Sequence, residues 1–158
     1  MTAQALWPFA LEIYARPGVE PLLLTLQDDH GQCVAFLIWA LWAAAQGRVL
    51  DGAALATAAE LARAWQDAAV APLRGLRRSL KLRAFVAPPA GARERLREGV
   101  KSLELDAERM LLQMLDAASP PPAARGQADP LTTLENAAAA WGGNAPPELL
   151  AKLALGTA

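Results

Sequence analysis

The chain has 158 residues, a formal net charge of −1 at pH 7, and 54% apolar residues. Its length predicts one domain with room for a tail, and its apolar content excludes a disordered chain. It carries 37 Ala and 27 Leu against 14 Val, Ile and Thr together, which excludes a sizeable β-sheet because strands favour β-branched residues. A single Cys and a single His exclude a disulfide framework and a zinc site of the usual Cys/His type.

The N-terminal stretch predicts a helix from Pro8 to about Ala15 with Trp7, Leu11 and Tyr14 on one face, ended by Arg16-Pro17-Gly18. A second helix runs from Val19 to His30, with Val19, Leu22/Leu23, Leu26 and His30 on its apolar side and Gly31 as its left-handed stop. The third, Gln32 to Gln46, is apolar on nearly every side, so it is expected at the centre of the core. Its most hydrophobic run, Cys33 to Ala45, has 13 residues and would extend about 20 Å as a helix, short of the ~30 Å bilayer core. No basic segment precedes an apolar one at the N-terminus, so no secretory signal is read there. A cytoplasmic location follows by elimination, and a lone Cys33 suits a reducing compartment.

Asp51 is placed to cap a fourth helix. Leu55, Ala58, Ala62, Trp65, Ala69, Leu73, Leu76 and Leu80 keep helical phase across Pro72, which predicts one long helix kinked at that proline and ending near Ala84. Two helices meeting at Pro72 are the alternative. Pro88, Pro89 and Gly91 turn the chain. A fifth helix, about Arg93 to Ala118, carries the heptad seam Leu96, Val100, Leu103, Ala107, Met110, Met114 and Ala117. That seam suits burial within one molecule or against a second copy, so oligomeric state stays open. The expected organisation is a helical core at 5–118, a proline-rich linker at 119–128, and a small helical appendage at 129–158 that docks on the core or on a partner. Within the appendage, Asp129-Pro130 opens a helix to Trp141 and Pro147 opens the last one. The fold class read from the sequence is all-α: a compact helical bundle with a buried central apolar helix and a long antiparallel helical hairpin.

Charge is unevenly distributed, at −4 over 1–70, +7 over 71–103 and −4 over 104–158. Arg74, Arg77, Arg78 and Lys81 follow an i, i+3, i+4, i+7 spacing, which sets them on one stripe of a helix. Arg93, Arg95 and Arg97 crowd a helix N-terminus, the end that disfavours cations. An antiparallel hairpin would bring both groups to one pole. The bland reading is solvated or internally paired charge. The functional one is a site for an acidic protein face, formed by Arg74, Arg77, Arg78, Lys81, Arg83, Arg93 and Arg97. Phosphate-bearing ligands or nucleic acid at the same pole are the alternative, although the chain is acidic overall, with a pI near 5.8, and has no RNP-like motif.

Catalytic signals are weak. Asp28-Asp29-His30 cannot converge on one ion, because neighbouring helical residues point about 100° apart, and His30 reads as a core or cap residue. Cys33 reads as packing. Glu104 and Glu108, at i, i+4, read as a solvated face. No phosphate loop appears, and no metal or cofactor is implied. A small helical enzyme, or a binder of apolar ligands among the Trp and Met residues, ranks third.

Several segments together resemble a known family. They are W-P-F-A-L-E-I-Y-A-R-P-G-V (Trp7 to Val19), L-Q-D-D-H-G (Leu26 to Gly31), L-I-W-A-L-W (Leu37 to Trp42), W-Q-D followed by P-L-R-G-L-R-R-S-L-K (within Trp65 to Lys81), and E-L-D-A-E-R (Glu104 to Arg109). In this order they resemble the proteobacterial domain of unknown function 2390. The resemblance implies a small bacterial helical protein and carries no activity. The reading that follows is a non-enzymatic cytoplasmic interaction or regulatory module acting through the basic pole.

Overall fold

A computed structural model describes residues 4–82, 89, 91–123 and 128–156. The expected turn at 85–92 and the end of the fourth helix near Ala84 therefore lie largely outside the described residues, as does Arg83. The described chain is all-α: α1 (Leu6–Tyr14), α2 (Val19–Asp28), α3 (Val34–Ala45), α4 (Gly52–Trp65), α5 (Ala71–Leu82), α6 (Ala92–Ala117), α7 (Pro130–Trp141) and α8 (Pro147–Leu155). Asp51 and Asp129 act as the expected caps, accepting hydrogen bonds from Ala54 N (2.8 Å) and Thr132 N (2.7 Å).

Helix α3 is the centre of the core, as its composition predicts, with every residue from Val34 to Ala44 buried. It contacts α1, α2, α6 and α7. Two tryptophans on it satisfy their indole N–H groups at the edge of the core. Trp39 Nε1 donates to Ser119 Oγ and Trp42 Nε1 to the Gln4 carbonyl, each at 2.7 Å. The C-terminal helices complete the same core: Leu134, Ala137 and Leu153 have no exposed surface. Trp141 packs on Phe36 and donates from Nε1 to the Gly31 carbonyl. Gly142 and Gly143 both have positive φ, and a Cβ at Gly143 would lie 2.8 Å from the His30 carbonyl oxygen. Only glycine permits that approach.

Three expected faces are rotated. Helix α1 buries Leu6, Phe9, Ala10 and Ile13 against the core, while of the expected stripe Trp7 and Tyr14 pack partly buried at its edge and Leu11 is exposed. Helix α6 buries Val100, Glu104, Ala107, Leu111, Leu112 and Leu115. The expected seam residues Leu96, Leu103 and Met110 are exposed. The Leu111, Leu112 and Leu115 cluster anchors this rotation, and Glu104 occupies a core-facing position because cations meet it there.

The third rotation follows from Pro72. Helices α4 and α5 form one continuous rod, but a π-helical turn, Gln66–Val70, joins them, with the Ala71 N–H donating to the Gln66 carbonyl five residues back. Proline removes a donor and its ring crowds the carbonyl four residues earlier, that of Ala68; a widened turn relieves both. The extra residue turns the following helix by about 100°. Val70, Arg74 and Arg77 then take the positions that an even period assigns to Ala69, Leu73 and Leu76. Accordingly Val70 is buried and Leu76 is exposed, while Leu80 stays buried as the sequence predicts.

Candidate functional site

Arg74 and Arg77 lie one helical turn apart on α5 and face α6, which runs antiparallel to it. Arg74 Nε donates to Glu104 Oε1 at 2.9 Å, and its NH2 donates to Glu108 Oε1 at 3.0 Å. Arg77 Nε donates to Glu104 Oε2 at 2.5 Å. Glu104 is thus clamped on both oxygens by two guanidinium groups, with 9% of its side chain exposed against 13% for Arg74 and 27% for Arg77. Such charge-assisted pairs are the strong hydrogen bonds of a low-dielectric setting.

The two carboxylates respond in opposite directions. Burial alone would raise the Glu104 carboxyl, but hydrogen bonds from Arg77 and Arg74 outweigh it and hold the group below its ordinary value. Burial raises Glu108; Arg74 opposes that, and the neighbouring Glu104 charge adds to it. The same Glu104 bond raises Arg77. Close by, burial pushes the Tyr14 phenol well up, with the Glu108 charge adding. Burial likewise raises the Cys33 thiol to about 11, so it remains a protonated packing group.

A cleft of about 380 Å³ opens over this cluster. Its charged lining is Arg74, Arg77, Glu20, Glu104 and Glu108, two cations against three carboxylates. Leu11 of α1, Leu24 of α2 and Leu105 of α6 form its apolar walls while 49%, 49% and 52% exposed. A second hollow of about 500 Å³ shares Glu20, Arg77, Glu104, Leu105 and Glu108 and extends toward Glu98, Lys101 and Ser102. Glu104 accepts from guanidinium groups on both of its oxygens. Glu108 Oε2, by contrast, accepts no hydrogen bond among the described residues.

The seven basic candidates separate into different settings. Arg74 and Arg77 form the floor of the cleft. Arg78 turns to α2 and pairs with Asp28 at 3.0 Å on the surface. Arg97 pairs within its own helix, with Glu94 at 2.8 Å and Glu98 at 3.5 Å. Lys81 and Arg93 are exposed, and Arg83 lies outside the described residues. At least four of the six described candidates, Arg74, Arg77, Arg78 and Arg97, therefore already hold a carboxylate of this chain. His30 lines neither hollow, and among the described residues no three His, Cys, Asp or Glu side chains group as metal ligands. No described helix is long and apolar enough to cross a membrane.

The expectation for Glu104 and Glu108 is corrected here: they are not a solvated face but the counterions of Arg74 and Arg77. A signal for this exists in the sequence. Arg77 stands 14 residues before Gly91 and Glu104 13 after it, while Arg74 and Glu108 each stand 17 away. Folding the hairpin at that glycine sets cation against carboxylate.

Fold and site together define an all-α protein with a mixed-charge cleft between helices α1, α2, α5 and α6. The chain belongs to the family described as protein of unknown function (DUF2390), whose model matches residues 5–115. That span ends within α6 and includes every residue of the Arg74–Glu104–Arg77–Glu108 cluster. Comparison with curated proteins and with solved structures returned no match.

Proposed function

We propose that this protein is a small non-enzymatic binding module whose site is the cleft over Arg74, Arg77, Glu104 and Glu108. One observation carries the reading: three half-exposed leucines from three helices converge on a partly buried, mixed-charge floor. Single exposed leucines are ordinary, but apolar walls around a few convergent polar groups are the usual construction of a binding site. Recognition rather than reaction is favoured because the one thiol is held protonated by burial and the one histidine lies elsewhere. The free, buried Cys33 suits a reducing compartment, in keeping with a bacterial cytoplasm.

The reading of the basic pole as a docking face for an acidic partner, or for phosphate or nucleic acid, draws on exposed Lys81. It is weakened by the commitment of Arg74, Arg77, Arg78 and Arg97 to internal carboxylates.

The test is a screen of small amphiphilic fragments by ligand-observed NMR, on the wild type and on Leu105→Arg. The substitution sits at an exposed wall position and fills the cleft. Fragments that bind the wild type are expected to lose at least about tenfold in affinity, about 1.4 kcal/mol, with thermal unfolding unchanged. Equal binding to both proteins places the site elsewhere and ends the proposal.

A further inference from the structure

We propose that the cleft takes an alkylammonium group, with the cationic nitrogen between Glu108 Oε2 and Glu20 and its carbon chain along Leu11, Leu24 and Leu105. This rests on the binding reading above and adds the charge of the ligand, opposite in sign to what a basic pole would accept. Among the described residues Arg74 and Arg77 are the only cations lining this cleft, and both are engaged by Glu104 and Glu108. Three carboxylates line the cleft beside these two cations, so the described lining is short of one positive charge. Glu108 keeps one oxygen without a donor among the described residues. Glu20, exposed on α2, lines the same cleft and forms no ion pair among the described residues.

A partly exposed carboxylate, 28% accessible at Glu108, gains from a cation that brings its own hydrogen-bond donors. The half-exposed leucine walls gain from covering by methylenes, about 0.8 kcal/mol for each one buried. An ammonium on a short aliphatic chain supplies both, whereas an anion would have to displace Glu104 from Arg77. A free aliphatic amine and the lysine side chain of a peptide share this chemistry.

The experiment is a methyl and amide NMR titration of the full chain at neutral pH with hexylammonium, hexan-1-ol, hexanoate and lysine capped as its acetyl methylamide. Hexylammonium or capped lysine should shift the Leu11, Leu24 and Leu105 methyls and bind at least about tenfold more tightly than hexanol or hexanoate. Which of the two binds more tightly assigns the source. Glu108→Gln, and separately the exposed-site variant Glu20→Gln, should bring ammonium binding down toward that of hexanol while hexanol still shifts the leucines. Hexanoate binding as tightly as hexylammonium, or ammonium binding indifferent to both variants, overturns the charge assignment and leaves the binding reading standing. No leucine shift with any of the four compounds overturns both.

Discussion

Arg77 Nε meets Glu104 Oε2 at 2.5 Å across the antiparallel pair α5 and α6, and Glu104 holds Arg74 on its other oxygen. This bridge is set where two long helices would otherwise meet through apolar side chains. It replaces a leucine contact with a charged one, and the behaviour of the protein toward mutation and pH should show it.

Removing the shared carboxylate leaves two partly buried guanidinium groups without their main partner. Glu104→Ala should cost about 2–4 kcal/mol in urea unfolding, since an orphaned buried charge is expensive. The quadruple variant Arg74→Met/Arg77→Leu/Glu104→Leu/Glu108→Gln should regain most of that loss, because it removes both cations together with both of their carboxylates. A Glu104→Ala protein with the wild-type midpoint would mean the bridge contributes nothing to the fold.

Acid should separate the two carboxylates. The folded-state value of Glu104 is held below its ordinary 4.5, so its contribution is present above that value and fades as pH falls through the folded one. The value for Glu108 is raised above 4.5, so its contribution is present below that value and is lost as pH rises through the folded one. Measured from about pH 3 to about pH 7, the stability deficit of Glu104→Gln should grow with pH. Glu108→Gln should instead improve relative to wild type over the same range. Parallel profiles for the two variants would contradict the opposed environments.

The π turn is what aims Arg74 and Arg77. Deleting Ala68 should restore an even helical period and rotate α5 by about 100°, taking both arginines off α6. The coupling between Arg77→Ala and Glu104→Ala in a double-mutant cycle should then fall from about 1 kcal/mol or more to near zero. Retention of the coupling in the deletion variant would show that α5 is positioned by something other than this turn.

The C-terminal helices act as part of the core. Leu134 has no exposed surface, so Leu134→Ala should cost about 2–4 kcal/mol. Leu155, 75% exposed, should tolerate the same change to within about 0.5 kcal/mol. Gly143→Ala should destabilise as well, since its Cβ would meet the His30 carbonyl. Chemical denaturation of the three variants checks the ordering; equal costs at 134 and 155 would mean that α7 is not docked.

Much of this architecture is legible in the order of residues. Helix ends follow from Asp51, Asp129, Pro130, Gly31 and the Gly142-Gly143 pair, because caps and left-handed stops are local chemistry. The centrality of α3 follows from its lack of a polar side. The rotations of α1, α5 and α6 do not follow, because each of these helices has two usable faces. Leu103 and Glu104 are adjacent, and hydrophobicity alone chooses the leucine. The choice reverses only when a π turn, one residue long in its effect, brings two guanidinium groups to that position.

Fold class and the pairing of α5 with α6 were therefore settled by periodicity and turn residues within the chain itself. Which charges are buried, and that a segment rich in arginine presents a cleft with an excess of carboxylate, depended on the tertiary structure. The reason is physical. Propensity and capping act over a few residues, whereas the environment of a charge is set by whichever groups packing brings within a few ångströms, here residues some 30 positions apart.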